Sequence, residues 1–223
     1  TGFNGNLGKT FTAINNKFKY IKFKGDISKK NDVNKWIKEN NFDLLIHFAA
    51  IVPTTIVKKQ YKKALKTNYT GTKYLVDAIN RHNKSINWFF FASTSHVYPH
   101  KFHKINEKHK SKPSSKYGKT KLLAEQYIEK KLKKTKIKFC IGRIFSIIDN
   151  TGEEFLLKSL LNKIKKKEKI IILKNLNHYR DFLTKEQISK IILLLWKKKF
   201  SGVINIGSGI KTNIKSIAKV FAI

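Results

Sequence analysis

The sequence predicts an α/β fold, a doubly wound parallel sheet with a small, incomplete second lobe toward the C-terminus, and three observations carry this. Short apolar runs alternate with stretches of helical periodicity. Several of those runs are apolar on successive residues, as strands covered on both faces must be. Three glycines, spaced three apart, lead straight into the first helical stretch.

Taken in order, the pattern predicts a helix over 5–15, a strand over 20–23, a helix around Val33, Trp36 and Ile37, and a strand over 43–48. A long helix carrying Tyr61, Leu65, Tyr69, Leu75 and Ile79 follows, then a very apolar strand over 86–91. After a lysine-rich loop come a helix over 115–132 and a strand over 137–144. Beyond Phe145 the alternation loosens: a helix over 155–164, a strand over 170–173, a helix over 185–196 and a strand over 203–206. The lysine run 163–169 reads as an exposed helix end. The glycine turn stands at the start of the sequence and the apolar periodicity of Ile214, Ile217, Ala218 and Phe221 is unterminated, so a strand is expected ahead of the turn and further chain past both ends.

The 223 residues suffice for one large domain and a sizeable core. No apolar run approaches the roughly 18–20 residues of a membrane span. Cys140 is the single cysteine and no paired Cys/His spacing is present, so neither an internal disulfide nor a metal site is expected, which suits a cytoplasmic protein. The net charge of +34 raises nucleic-acid binding as an alternative, yet of 48 basic residues only Arg81, Arg143 and Arg180 are arginine, and the lysines are spread along the whole chain. Solvated lysine faces explain the charge without a nucleic-acid partner.

The turn Gly2, Gly5, Asn6, Leu7, Gly8 has glycines where the backbone must bend tightly and approach a pyrophosphate, with helix N–H groups aimed at its charge. The Gly8-Lys9-Thr10 segment is no ATP-type phosphate loop, because Phe3 stands where that pattern needs glycine. Downstream, Asp26 could meet a ribose 2′-hydroxyl and favour NAD. Lys22, Lys24 and Lys29 around it could equally receive the 2′-phosphate of NADP, and Asp26 could simply cap the turn before Ser28. Tyr117 and Lys121 are four apart at the start of a helix, so phenol and ammonium share a face, and a cation there lowers a phenol's pKa toward a working range. Thr94 lies at the carboxyl end of a buried strand, where ligands gather in such sheets, and its hydroxyl could share proton transfer with Tyr117. His96 beside it is a candidate second proton donor. The remaining histidines read mostly as surface or loop residues.

Together these segments resemble the extended short-chain dehydrogenase/reductases, the NAD-dependent epimerase/dehydratases that modify sugar nucleotides, built on a Rossmann fold. The turn is similar to the family's TGxxGxxG, residues 46–50 to its HxAA strand end, 68–72 to its NxxGT helix, 93–98 to its hydroxyl motif, Tyr117/Lys121 to YxxxK, 180–182 to RDF and 203–209 to YNIGSG. The resemblance implies NAD or NADP held by Gly2, Gly5, Asn6, Leu7, Gly8, Asp26, Ile27, Phe48, Ala49, Ala50, Asn68, Tyr117 and Lys121. It implies catalysis by Thr94, Tyr117 and Lys121, and a nucleotide-sugar substrate touched by Thr94, Ser95, His96 and Arg180, the arginine on the diphosphate. A homodimer is also implied. Residues 1–145 with about 183–207 would form the dinucleotide-binding domain; about 146–182 and 208–223 would form a partial substrate lobe. The family's 4,6-dehydratases carry Asp-Glu directly after the threonine, whereas this chain has Ser95 and His96, so epimerase or reductase chemistry is expected over dehydration. Ser146 also replaces an asparagine common in the family. A catalytically inactive, cofactor-binding regulatory protein is the other alternative.

Overall fold

A computed structural model describes residues 1–52, 54–82, 85–99, 104–148 and 179–216. Its central sheet has four parallel strands, β1 (Leu44–His47), β2 (Trp88–Thr94), β3 (Lys138–Ile144) and, later in the chain, Gly202–Ile206, side by side in that order. The helices are α1 (Asn6–Ile14), α2 (Lys30–Glu39), the short α3 (Thr54–Lys59) and α4 (Tyr61–Leu65), α5 (Thr72–His82), α6 (Lys116–Leu132) and α7 (Lys185–Lys197). Two minor pairs complete the described chain. β4 (Ser146–Ile148) runs parallel to β6 (Phe182–Thr184), and β5 (Tyr179–Arg180) antiparallel to β8 (Thr212–Asn213), which makes Gly202–Ile206 strand β7.

Period-two alternation in β2 shows why the sheet is covered on both sides. Phe89 and Phe91 join one core with Val33 and Ile37 of α2, Leu75 and Ile79 of α5, and Ala124 and Ile128 of α6. Trp88 and Phe90 join the other with Phe11 of α1 and Ile188 and Ile192 of α7. All four β2 aromatics are fully buried, and each such side chain contributes roughly 1.5–3 kcal/mol over an exposed one. The indole nitrogen of Trp88 donates to the Phe200 carbonyl at 2.8 Å, so its polar edge is satisfied.

Two expectations need correction. Residues 20–23 form no strand: a groove of about 440 Å³, lined by Tyr20, Ile21 and Phe23 on one side and Leu44, Leu45 and Ile46 on the other, separates them from the sheet, so their backbone has no described strand to pair with. On the edge of β1 away from β2, Thr1 pairs alongside the strand, donating to the Ile46 carbonyl (2.7 Å) and accepting from Phe48 N (3.2 Å). The long helix beginning at Tyr61 is present but not regular: α4 passes into a π-helical segment, Lys66–Gly71, before α5. The helix expected at 155–164, the strand at 170–173 and the 163–169 run lie outside the described residues, as does the chain from 217 onward.

Candidate active site

The glycine turn is shaped by clearances. Gly2 has φ +74°, a conformation L side chains avoid, and a Cβ there would lie 2.7 Å from the Phe48 carbonyl carbon and overlap Ala49. A Cβ on Gly8 would lie 2.7 Å from Phe3 Cα and overlap the Gly2 carbonyl. The turn therefore nests against the end of β1 and against itself, bringing residues 2–8 beside Phe48 and Ala49. Gly5 is the N-cap of α1, and no side chain caps this helix. The positive end of its dipole therefore faces the glycine turn without a capping side chain, an arrangement that suits an anion such as the pyrophosphate of a dinucleotide.

Behind the turn, His47 is buried, contrary to the expectation for most histidines. Its Nδ1 lies 2.6 Å from Thr1 Oγ1 and its Nε2 lies 2.8 Å from Thr72 Oγ1. Thr72 already donates its proton to the Asn68 carbonyl (2.7 Å), so its oxygen accepts from Nε2–H, which leaves Nδ1 the acceptor for Thr1. Burial, then the nearby Lys121 charge, hold the imidazole well below its usual pKa and hence neutral.

Asn68 sits fully buried in the π-helical segment. Its amide accepts from Ile51 N (2.8 Å) and donates to the Ile51 carbonyl (3.0 Å) and Thr120 Oγ1 (3.1 Å); Thr120 in turn donates to the Tyr117 carbonyl (2.8 Å). Asn68 thereby ties the chain after β1 to the first turn of α6. Ile27 packs at Gly71, where a Cβ would lie 2.8 Å from the Ile27 carbonyl. Asp26, by contrast, is exposed, and its Oδ1 accepts from Ser28 N at 2.9 Å. That hydrogen bond to Ser28 holds its carboxyl below the usual range and is the turn-capping arrangement.

Tyr117 and Thr94 meet. The Thr94 hydroxyl is near enough to the phenol to favour its ionised form, the His96 ring packs edge-on to the phenol at 5.8 Å between centroids, and Thr94 Oγ1 accepts from His96 N at 3.2 Å. Two features of α6 fix this meeting. Ser115 caps the helix by accepting from Gly118 N (3.0 Å). Gly118 itself is pressed onto the His96 backbone, where a Cβ would lie 2.9 Å from the His96 carbonyl carbon. Val57 and Ala64 cover the Tyr117 ring.

Lys121, 2% exposed, lies one turn along with its Nζ 4.0 Å from the Phe91 ring centroid. The electrostatic balance differs from the expected one. Burial pushes the Tyr117 phenol above its ordinary range, with the Thr94 hydrogen bond opposing, so the net shift is upward instead of toward neutrality. Burial likewise pushes the Lys121 amine down to about 7, with the Glu125 carboxylate opposing.

Sequence reasoning missed the buried polar network around this cluster. Glu125, on α6, receives Arg143 of β3 through Nε (3.1 and 3.2 Å) and Nη2 (2.6 Å), and also the Ser93 hydroxyl. Arg143 Nη1 donates to the Tyr98 hydroxyl (2.8 Å), which donates to Asn205 Oδ1 (2.9 Å). A charged residue inside the apolar run Phe139–Phe145 was the available signal, since a buried guanidinium demands a carboxylate. Arg180 stands elsewhere, exposed on β5. Its neighbour Asp181 accepts from Ser208 N (2.6 Å), Ser208 Oγ (2.7 Å) and Gly209 N (2.8 Å), anchoring the turn after β7. Ser95 is half-buried beside the Thr94 end of β2. Among the described residues no group of three or more His, Cys, Asp or Glu is placed to hold a metal ion, and no helix is long and apolar enough to cross a membrane.

The chain resembles several known proteins over nearly its whole length. It is 25% identical over 217 residues to human dTDP-D-glucose 4,6-dehydratase, covering 95% of this chain and 61% of the relative. To the UDP-glucose 4-epimerase of Lactobacillus helveticus it is 31% identical over 140 residues, 60% of this chain and 40% of that one. The chain thus spans about three fifths of the length of the first of these relatives. Among solved structures, RMD from Pseudomonas aeruginosa complexed with NADPH superposes with a TM-score of 0.88 at 20% identity, over 99% of this chain and 80% of that one. The UDP-glucose 4-epimerase of Thermotoga maritima with UDP-glucose gives 0.85 at 20%, over 99% and 79%. Both confirm the Rossmann-type fold. The model of the NAD dependent epimerase/dehydratase family matches residues 6–207, and the chain belongs to that family.

Proposed function

We propose that the protein is an NAD(P)-dependent enzyme that epimerises or reduces a nucleotide-linked sugar. The observation that carries this reading is the meeting of Thr94, at the carboxyl end of β2, with Tyr117 and Lys121, buried one turn apart on α6. The uncapped start of α1 and the glycine clearances fit a dinucleotide: residues 2–8 would hold its pyrophosphate, with Phe48, Ala49, Ala50 and Asn68 beside it. When bound, the nicotinamide would supply or accept the hydride.

Tyr117 holds the proton. A neutral phenol, which burial favours, is the form that donates to a sugar carbonyl oxygen as it gains charge; in the oxidising direction the same oxygen takes the hydroxyl proton. Thr94, beside the phenol, orients the sugar oxygen. A cation at Lys121 lowers the energy of the phenolate and holds the ribose. Arg180 is assigned the substrate diphosphate, as a bidentate charge-assisted donor. Assembly as a homodimer, a cytoplasmic location and the division into a dinucleotide domain (1–145 with about 183–207) and a partial substrate lobe belong to the same proposal.

The dehydratase relative keeps a second reading in play, dehydration of the sugar, against which Ser95 and His96 stand in place of a carboxylic acid pair. Incubating the full-length protein with UDP-, GDP- and dTDP-sugars and each nicotinamide cofactor, with absorbance of the reduced form and product sugars followed, tests all of these. An altered epimer or a reduced 4-keto sugar is expected. A 4-keto-6-deoxy product would replace the reading with dehydration, and cofactor binding with no product from any sugar would replace it with a regulatory role. Binding to nucleic acid that falls steeply with salt would favour the charge-driven alternative.

A further inference from the structure

The Glu125–Arg143 pair is where the sheet, the site strand and the site helix are joined. Glu125 is 1% exposed and Arg143 6%, and the guanidinium reaches the carboxylate through two nitrogens. The carboxylate also takes the Ser93 hydroxyl, and Ser93 immediately precedes Thr94. Glu125 follows Lys121 by four residues on α6, so the two side chains lie on one helix face. From β3, Arg143 continues to Tyr98, in the loop after β2, and Tyr98 to Asn205 of β7. Asn205 N donates to Glu107 (2.7 Å), in the loop leading to α6. Every segment bearing a residue of the Thr94–Tyr117–Lys121 cluster is thus fastened to one carboxylate or to its guanidinium partner.

We propose that Glu125 is a positioning residue for the acid/base pair: clamped by Arg143, it fixes the Thr94 end of β2 through Ser93 and favours the protonated form of Lys121 inside the core. The inference rests on the assignment of Tyr117 and Lys121 as that pair. Its physical basis is that Lys121 is enclosed on nearly every side, and an enclosed amine sheds its proton unless a negative charge is near. The titratable groups that face it are His47, which also feels the Thr1 amine, from the β1 side, and Glu125 on its own helix, with Tyr117 one turn before it and Glu129 one turn beyond Glu125. Of the two carboxylates, Glu125 is the one whose charge raises the Lys121 amine. An aliphatic pair at positions 125 and 143 would serve packing equally well, and often better. An ionised carboxylate there instead does what a cationic Lys121 requires.

The test is the titration midpoint of the Lys121 amine in full-length protein. A pH series of NMR spectra of protein carrying isotope-labelled lysine, with the residue 121 signal identified by its loss in Lys121→Met, gives it without substrate. In Glu125→Gln the midpoint is expected to fall by about one pH unit or more, and Glu125→Asp is expected to recover most of that shift. Glu129→Gln, one turn further along, should leave it in place. Should Glu125→Gln fail to fold, the double variant Glu125→Met/Arg143→Met, a neutral pair of similar volume, carries the same readout with a smaller fall in the same direction. An unmoved midpoint in the folded variant overturns the proposal and leaves Glu125 a packing residue. A full-length protein that turns over no sugar nucleotide would overturn the proposed activity alone, because the amine midpoint still decides what Glu125 does to Lys121.

Discussion

The glycine turn and the Tyr117 cluster stand at the same end of the sheet but are held by opposite means. The turn exists because atoms are missing: Gly2 and Gly8 lie where a Cβ would strike backbone. The cluster exists because atoms are paired: Asn68, Thr120, Lys121, Glu125 and Arg143 are polar groups in a core, each with partners. A cradle made by clearance is broken by adding a methyl group, whereas a cluster made by pairing is broken by removing a partner.

Tyr117→Phe should break the contrast most cleanly. Hydride transfer is expected to fall about 10²–10⁴-fold while NADH affinity, read by fluorescence titration, stays within a few-fold; a comparable loss in both would mean the phenol serves binding. Arg143→Met leaves Glu125 buried and unpaired. A loss of about 3–5 kcal/mol in denaturant unfolding is expected, and a loss below about 1 kcal/mol would show the network to be incidental. For Gly2→Ala the expected loss is smaller, about 1–3 kcal/mol from the positive φ and the overlap with Ala49, and it should appear as weakened NADH binding with hydride transfer preserved at saturating cofactor.

Lys121→Met sharpens the comparison through pH. Folding takes the amine from 10.5 to about 7, so between those values the unfolded chain holds a proton that the folded protein has released. The wild type should therefore gain stability as pH rises from about 7 to 10.5, with the full burden of an enclosed cation present below 7. The variant should lose that slope and melt higher than wild type at pH 6, with activity abolished; a parallel pair of Tm-versus-pH curves would refute the burial argument. The smallest effect is expected at Asp26. Its carboxylate already serves Ser28, so Asp26→Asn should change the NAD/NADP preference only a few-fold, and a switch of about 100-fold would place it on the ribose.

Most of the sheet was legible because its strands are apolar on consecutive residues, a pattern that only two-sided burial explains, and β2 is the clearest instance. The strand expected at 20–23 was not formed, since local pattern cannot say whether a neighbour lies alongside; strand formation needs two partners and the sequence of one segment describes a single side. The π-helical segment was likewise hidden, because Tyr61, Leu65, Tyr69 and Leu75 satisfy ordinary helical spacing and the extra residue is set by Asn68 turning toward Ile51. Thr94 and Tyr117 were found through order and motif, and the structure brings them together. Glu125, Tyr98 and Asn205 were not, because pairing across β2, β3, β7 and α6 is a property of the folded sheet. The partners that make His47 a core bridge, Thr1 and Thr72, were hidden for the same reason, being far off in sequence.

The Asn68 amide has a consequence of its own. It meets Ile51 as one peptide group meets another, giving a hydrogen to the carbonyl and taking one from the nitrogen, so the side chain imitates a neighbouring strand. Replacing that single amide by an acid, as in Asn68→Asp, would withdraw both donated hydrogens and enclose a negative oxygen against the Ile51 carbonyl. The seating of the chain after β1 against α6 is in this sense entrusted to one carboxamide that no solvent reaches.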